Sequence, residues 1–166
     1  MPEINKTCCF TGHRSDKLPW GLNENDPDCR RLKVRIALEL EKLYAGGYRH
    51  FICGMAIGCD LYFAEAVLEM RNEYGDVTLE AAIPCDKQNA GWDSENKRRY
   101  ERILMSCDEL TYVSHTYTPG CMQRRNEYMA DRSSAVLACF NGTKGGTMNT
   151  LLYARRKGLK IVIIDL

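Results

Sequence analysis

The sequence predicts a three-layer α/β/α fold built on a mainly parallel sheet of five or more strands. Two observations carry this. Short apolar runs alternate with longer amphipathic ones along the whole chain, the pattern of strands linked by crossover helices. The closing run, Ile161-Val162-Ile163-Ile164, is continuously apolar, as strands covered on both faces are. Together these describe a Rossmann-like architecture. The 166 residues are enough for one domain with a core and too few for two, so one domain is expected over residues 1–166.

The elements follow in order. Thr7 to Phe10 reads as the first strand, ending at Thr11-Gly12-His13-Arg14. A polar loop with Pro19, Gly21 and Pro27 leads to a helix whose Leu32, Ile36, Leu40 and Leu43 share one face. Gly46-Gly47 ends it. Phe51 to Cys53 is the second strand, running into Gly54-Met-Ala-Ile-Gly58-Cys-Asp60. The helix from about Asp60 to Tyr74 is apolar on two faces, which predicts deep burial. The remaining strands are Val77 to Ile83, Leu110 to Val113, Ala135 to Phe140 and Lys160 to Ile164. Helices are expected over about Ser94 to Ser106 and Met122 to Arg132, and in a last helix turning Met148, Leu151 and Leu152 to the core.

Composition narrows the function. The net charge is +1, whereas duplex nucleic-acid binders usually carry a strong basic excess; duplex nucleic acid is therefore an unlikely partner. The nine cysteines are odd in number, irregularly spaced and free of any C-x-x-C, so neither a disulfide framework nor a metal site is expected. Reduced thiols in a cytoplasmic protein fit better. The N-terminus lacks the apolar core of a signal peptide. No apolar run approaches the ~20 residues of a membrane span.

Open α/β sheets bind ligands beyond the carboxyl ends of their strands, and three loops expected there are unusual. In the first, Gly12 permits close backbone approach and Arg14 offers a donor fork suited to phosphate. In the second, Gly54 and Gly58 precede a helix N-terminus, with Asp60 either its N-cap or facing a ligand. It is not a P-loop, because no Lys-Ser or Lys-Thr follows. In the third, Gly145 and Gly146 precede Thr147, a candidate cap and phosphate contact, with Lys144 adding charge. A fourth segment places Arg124 and Arg125 in the first turn of a helix, where cations oppose the dipole and invite an anion, with Asn126 next to them. Trp92 or Tyr128 is a candidate for stacking on a base. Cys59, beside a helix N-terminus, is a remote candidate nucleophile.

These segments resemble the YpsA-like branch of the SLOG superfamily, named for the Smf/DprA and LOG proteins. Thr11-Gly12-His13-Arg14 matches the opening signature of that branch. Cys53-Gly54-Met55-Ala56-Ile57-Gly58-Cys59-Asp60 is similar to the Ser-Gly-x-Ala-x-Gly-x-Asp loop of DprA relatives, with cysteine in place of the first serine. Met122-Gln-Arg-Arg-Asn126-x-x-Met129-x-Asp131 and Gly145-Gly146-Thr147 continue the match. The resemblance implies a Rossmann-like fold that binds nucleotides or nucleotide-derived ligands. Some LOG proteins hydrolyse the N-glycosidic bond of nucleoside monophosphates, with a catalytic glutamate shortly after their Gly-Gly-x-Gly-Thr loop. Here Met148-Asn149-Thr150 follows Thr147 and no acid occurs before Asp165, which weakens the hydrolase expectation. Asp60, Glu65 or Asp131 would have to serve instead.

The leading expectation is thus binding or sensing of a nucleotide or phosphorylated nucleoside derivative by Thr11, Gly12, Arg14, Gly54, Gly58, Asp60, Arg124, Arg125, Asn126, Gly145, Gly146 and Thr147. The alternative is N-glycosidic hydrolysis of a nucleoside monophosphate, with Asp60 and Asp131 as candidate carboxylates. DprA-like binding of single-stranded DNA ranks lower, for want of an aromatic and basic groove pattern. The expected partner is a small phosphorylated ligand, with no other cofactor; self-association is left open.

Overall fold

The computed structural model describes residues 1–166. Six parallel strands form one sheet in the order β4-β3-β2-β1-β5-β6. They are β1 (Thr7–Gly12), β2 (His50–Cys53), β3 (Thr78–Ile83), β4 (Glu109–Tyr112), β5 (Ala135–Phe140) and β6 (Lys160–Asp165). The helices are α1 (Pro27–Ala45), α2 (Cys59–Tyr74), α3 (Ser94–Ser106), α4 (Cys121–Asp131) and α5 (Gly146–Arg156). Short 3-10 turns occupy Ile4–Lys6 and Ser15–Lys17.

The middles of β1 and β5 are apolar on both sides because each face meets a helix layer. Cys8 and Phe10 of β1 and Leu137 and Cys139 of β5 pack with α1 and α2, where Phe10 stacks on Phe63 at 4.4 Å between ring centroids. Cys9, Val136 and Ala138 point the other way, against Met129 of α4 and Leu151 and Ala154 of α5. The helix expected to be buried on two faces is α2, and Leu61, Phe63, Ala64 and Val67 are fully enclosed.

The order in which strands are added reverses between β1 and β5, while every strand stays parallel. From β1 the chain winds outward through β2, β3 and β4, then returns through α4 to pair β5 with the other side of β1. A crevice opens where two neighbouring strands send their loops to opposite faces, so the fold sets one between β1 and β5.

Three expectations need correction. The apolar run of β6 does not reflect coverage on both faces: β6 is an edge strand and Ile163 is 45% exposed. In α5, Leu151 and Ala154 face the core, whereas Leu152 is exposed and Met148 half-buried; on a 100° helical step, neighbours cannot both point inward. Gly12 is the last residue of β1 rather than part of the loop. No helix is long and apolar enough to cross a membrane, and all nine cysteines are free.

Candidate functional site

A cavity of about 290 Å³ lies at the carboxyl ends of the strands, above the reversal point. β1 and the turn after it supply Thr11, Gly12, Arg14 and Lys17. The β2–α2 loop supplies Ala56, and α2 supplies Asp60. Arg125 and Asn126 come from α4, and Gly146 and Thr147 from the start of α5.

The β2–α2 loop is shaped by two close approaches. Gly58 has φ +103°, and a Cβ there would lie 2.7 Å from the Ser15 amide nitrogen. A side chain is thereby excluded, and Arg14 and Gly58 pair as an isolated antiparallel bridge. The Cys59 amide donates to the His13 carbonyl at 3.2 Å. The β1 loop is thus stitched to the start of α2. At Gly54 the intruder is Arg125: a Cβ would meet its guanidinium at 2.5 Å.

Arg125 is the most unusual group in the site. Its side chain is buried at the carboxyl edge, where Nη1 donates to the carbonyls of Gly54 and Ala82 and Nε donates to Asn126 Oδ1 at 2.8 Å. Its remaining nitrogen, Nη2, has only the Met122 sulfur at 4.0 Å. Every one of these partners is neutral. Burial accordingly holds the guanidinium below its usual pKa, with the Asp60 carboxylate opposing that shift from nearby. A buried cation whose hydrogen bonds go only to neutral acceptors carries a desolvation cost, which the nearby Asp60 carboxylate offsets in part.

Asp60 is also buried, and burial raises its carboxyl above the usual range against the pull of Arg125. It does not cap α2. Gly58 is the N-cap residue and makes no side-chain bond, while Asp60 Oδ2 accepts from the Ala56 amide at 3.0 Å. Thr147 likewise does not cap α5; Gly145 holds that position without a side-chain bond. The first amides of α5 therefore have no side-chain acceptor, and its N-terminus borders the cavity. Lys17 reaches across to donate to the Lys144 carbonyl at 3.1 Å, and His13 Nε2 lies 2.8 Å from Asn141 Oδ1. Both tie the β1 loop to the loop before α5. Burial pushes the His13 imidazole below its ordinary range.

Thr11, Gly12, Arg14, Asp60, Arg125, Asn126, Gly146 and Thr147 therefore meet around one cavity. Gly54 and Gly58 stand behind it as the close approaches just described, and Gly145 lies under the Lys17 ammonium. Three candidates fall elsewhere. Arg124 is exposed and folds back on Thr118 and the Pro119 carbonyl. Asp131 lies at the far end of α4, accepting from the Tyr153 hydroxyl at 2.7 Å and pairing with Lys157 at 3.3 Å. Glu65 is ion-paired with Arg99.

The stacking candidates do not line the cavity either. Trp92 packs edge-on against Tyr100, and the Tyr128 hydroxyl donates to Glu80. Phe10, Met122 and Met129 supply the apolar wall instead. Cys59 is buried, and the neighbouring Cys139 thiol together with that burial pushes its own thiol up, which removes the basis for a thiolate nucleophile. Sequence reasoning passed over Lys17 and Asp16, which the 3-10 turn Ser15–Lys17 brings to the rim.

A family model described as the YspA SLOG family matches residues 8–160. The SPbeta prophage-derived protein YoqJ of Bacillus subtilis is 30% identical over 144 residues, which cover 79% of this chain and 84% of that one. A UPF0398 protein of Bacillus anthracis is 28% identical over 155 residues, covering 92% and 83%. Among solved structures, DNA processing protein A from Streptococcus pneumoniae superposes with a TM-score of 0.68 at 15% identity. The Helicobacter pylori protein of that name, studied for its single-stranded DNA binding mode, gives 0.65 at 16%. Both alignments use 98% of this chain, which spans only 51% and 66% of those two chains respectively. At such identities the likeness shows the shared fold.

Proposed function

The chain belongs to the YspA SLOG family, and on that footing we propose that its carboxyl-edge cavity binds a nucleotide or phosphorylated nucleoside derivative. The observation that carries this is the buried Arg125 guanidinium, whose hydrogen-bond partners are all neutral, in a cavity that also receives the N-terminus of α5. A phosphate placed there gains helix-terminal N–H groups and the positive end of a dipole. Arg14 and Lys17 add charge from the β1 side. Asp60 and Asn126 offer hydrogen-bonding groups for sugar hydroxyls, and the half-buried Met122 an apolar contact for the base. The volume of about 290 Å³ sits at the lower end of ligand pockets, roughly 300–1,000 Å³. A mononucleotide suits a cavity of that size.

Glycosidic hydrolysis is the second reading, and Asp60 is the observation that favours it. Asp60 is a buried carboxylate on the cavity wall whose pKa is raised, as a general acid requires. The absence of an acid following Thr147 keeps this reading second. Single-stranded DNA binding rests on likeness of fold to the DprA chains alone.

Isothermal titration with a series of nucleoside mono-, di- and triphosphates tests the proposal. Each charge-assisted bond contributes roughly 1.5–3 kcal/mol, so Arg14→Ala is expected to weaken the best ligand by about ten- to a hundredfold. Failure of every nucleotide to bind, or equal affinity in wild type and Arg14→Ala, overturns it.

A further inference from the structure

At the opposite edge of the sheet, on the face covered by α4, three strands bring together His50, Glu80 and Glu109. One ligand-capable atom of each lies within 4.8 Å of the others. We infer that this is a divalent metal site, with an imidazole and two carboxylates as protein ligands. It is separate from the carboxyl-edge cavity: His50 pairs with Thr7 at the start of β1, whereas Gly12 ends that strand. That is about five residues of rise, roughly 16 Å.

The geometry favours a cation in three respects. Glu80 and Glu109 are register partners on adjacent parallel strands, so their carboxylates stand side by side. Glu80 already has neutral hydroxyl donors, Thr111 at 3.0 Å and Tyr128 at 2.6 Å, and these hold it without neutralising its neighbour. Glu109 engages no cation of the chain. Second, His50 and Glu80 are only 4% and 3% exposed, so two of the three ligands are held rigidly and largely out of water. Such preorganisation is what a metal centre requires of its protein. The cluster also lines a surface cavity of about 470 Å³, together with Met1, Ile4 and Arg132, which provides an entry path and room for water ligands.

The third feature is the partner of the far imidazole nitrogen. His50 Nε2 lies 2.9 Å from Glu80 Oε1 and Nδ1 lies 2.6 Å from Thr78 Oγ1. Without a metal, Nε2–H donates to the carboxylate and Nδ1 accepts from the threonine. With a metal, Nε2 must present its lone pair, so the neutral ring takes the other tautomer, Nδ1–H, with no net change in its protons. A carbonyl beside Nδ1 would suit one of these states only. A hydroxyl both donates and accepts, so Thr78 serves each without moving. One nitrogen and two oxygens suit the harder divalent first-row ions such as Mn²⁺, with Zn²⁺ also accommodated.

Mn²⁺ alone is the probe of choice, because the nine thiols compete for softer ions. Added at substoichiometric levels to the ¹⁵N-labelled protein, it is expected to broaden amide resonances around His50, Glu80 and Glu109 while sparing those of Gly12 and Gly146. Glu109 is exposed, so Glu109→Gln should leave the fold intact and raise the Mn²⁺ concentration needed for half-broadening at least tenfold. His50→Gln, checked for folding by circular dichroism, should abolish the effect. Broadening centred elsewhere, no selective broadening at equimolar Mn²⁺, or broadening unchanged by Glu109→Gln overturns the inference.

Discussion

Replacing Gly146 by valine separates ligand binding from folding, because the two depend on different sides of the same backbone. Gly146 opens α5, and a Cβ built on it meets no atom within 4 Å. Its φ lies outside the left-handed region, so a side chain is tolerated locally. Valine is a poorer helix former than alanine and glycine poorer still, so the net effect on stability is within about 0.5 kcal/mol. In a chain of this size 1 kcal/mol moves Tm by roughly 2–4 °C; the variant should melt within about 2 °C of wild type. Binding should respond differently. The residue lines the cavity, and two added methyl groups hold an anion away from the α5 amides. Loss of one charge-assisted bond costs about 1.5–3 kcal/mol, or about ten- to a hundredfold in Kd. Isothermal titration of wild type, Gly146→Ala and Gly146→Val should give a graded series, alanine between the other two. Native melting together with unchanged affinity for Gly146→Val would refute the reasoning.

Other perturbations reach the scaffold around the site. Gly58→Ala forces a side chain into φ +103° against the Ser15 amide; strain of this kind costs about 1–3 kcal/mol, and thermal melting should fall by roughly 2–12 °C. Asp60 has a raised carboxyl pKa through burial, so its ionisation opposes folding and wild-type stability should decline as pH rises through that value. Asp60→Asn should flatten the decline in urea melts from pH 4 to 8; a variant markedly less stable at pH 7 would contradict this. For Glu24, burial would raise the pKa, but the bonds from Arg99 and Lys33 overcome it and leave the pKa lowered. Its contribution is present above the unfolded value near ~4.3 and lost as pH falls through the folded one. The gap between wild type and Glu24→Gln, about 1–3 kcal/mol at pH 7, should narrow as the solution is acidified below that unfolded value. Incubation with nucleoside monophosphates should release little free base; turnover of ~1 per second or more, abolished by Asp60→Asn, would promote the hydrolase reading.

The strand–helix alternation was legible because central strands covered on both faces are mostly apolar on each side, with few polar residues to interrupt them. Strand order was not, because which neighbour β5 chooses depends on long-range packing that leaves no local pattern. The two adjacent arginines show the same limit within one helix. Both looked equally ready for an anion, yet Arg125 turns inward and Arg124 returns to Thr118. A signal did exist: Cys121, Arg125 and Met129 recur at four-residue steps and form the buried stripe of α4. Asp131 matched the family motif, but its position two residues beyond Met129 carries it to the far end of the helix and onto Tyr153. The β6 run misled because an edge strand can be as apolar as a central one. His50, Glu80 and Glu109 share no spacing in the sequence and meet only through the register of three strands.

The central claim is that the β1–β5 crevice is where a phosphorylated nucleoside binds. A ¹⁵N–¹H correlation titration with the nucleotide that binds best measures this most directly. Shift changes at Gly12, Arg14, Arg125, Gly146 and Thr147, saturating together with one dissociation constant and weakened in Arg14→Ala, are the expected result. Saturable changes confined to other parts of the molecule, with these five residues unmoved, would contradict it.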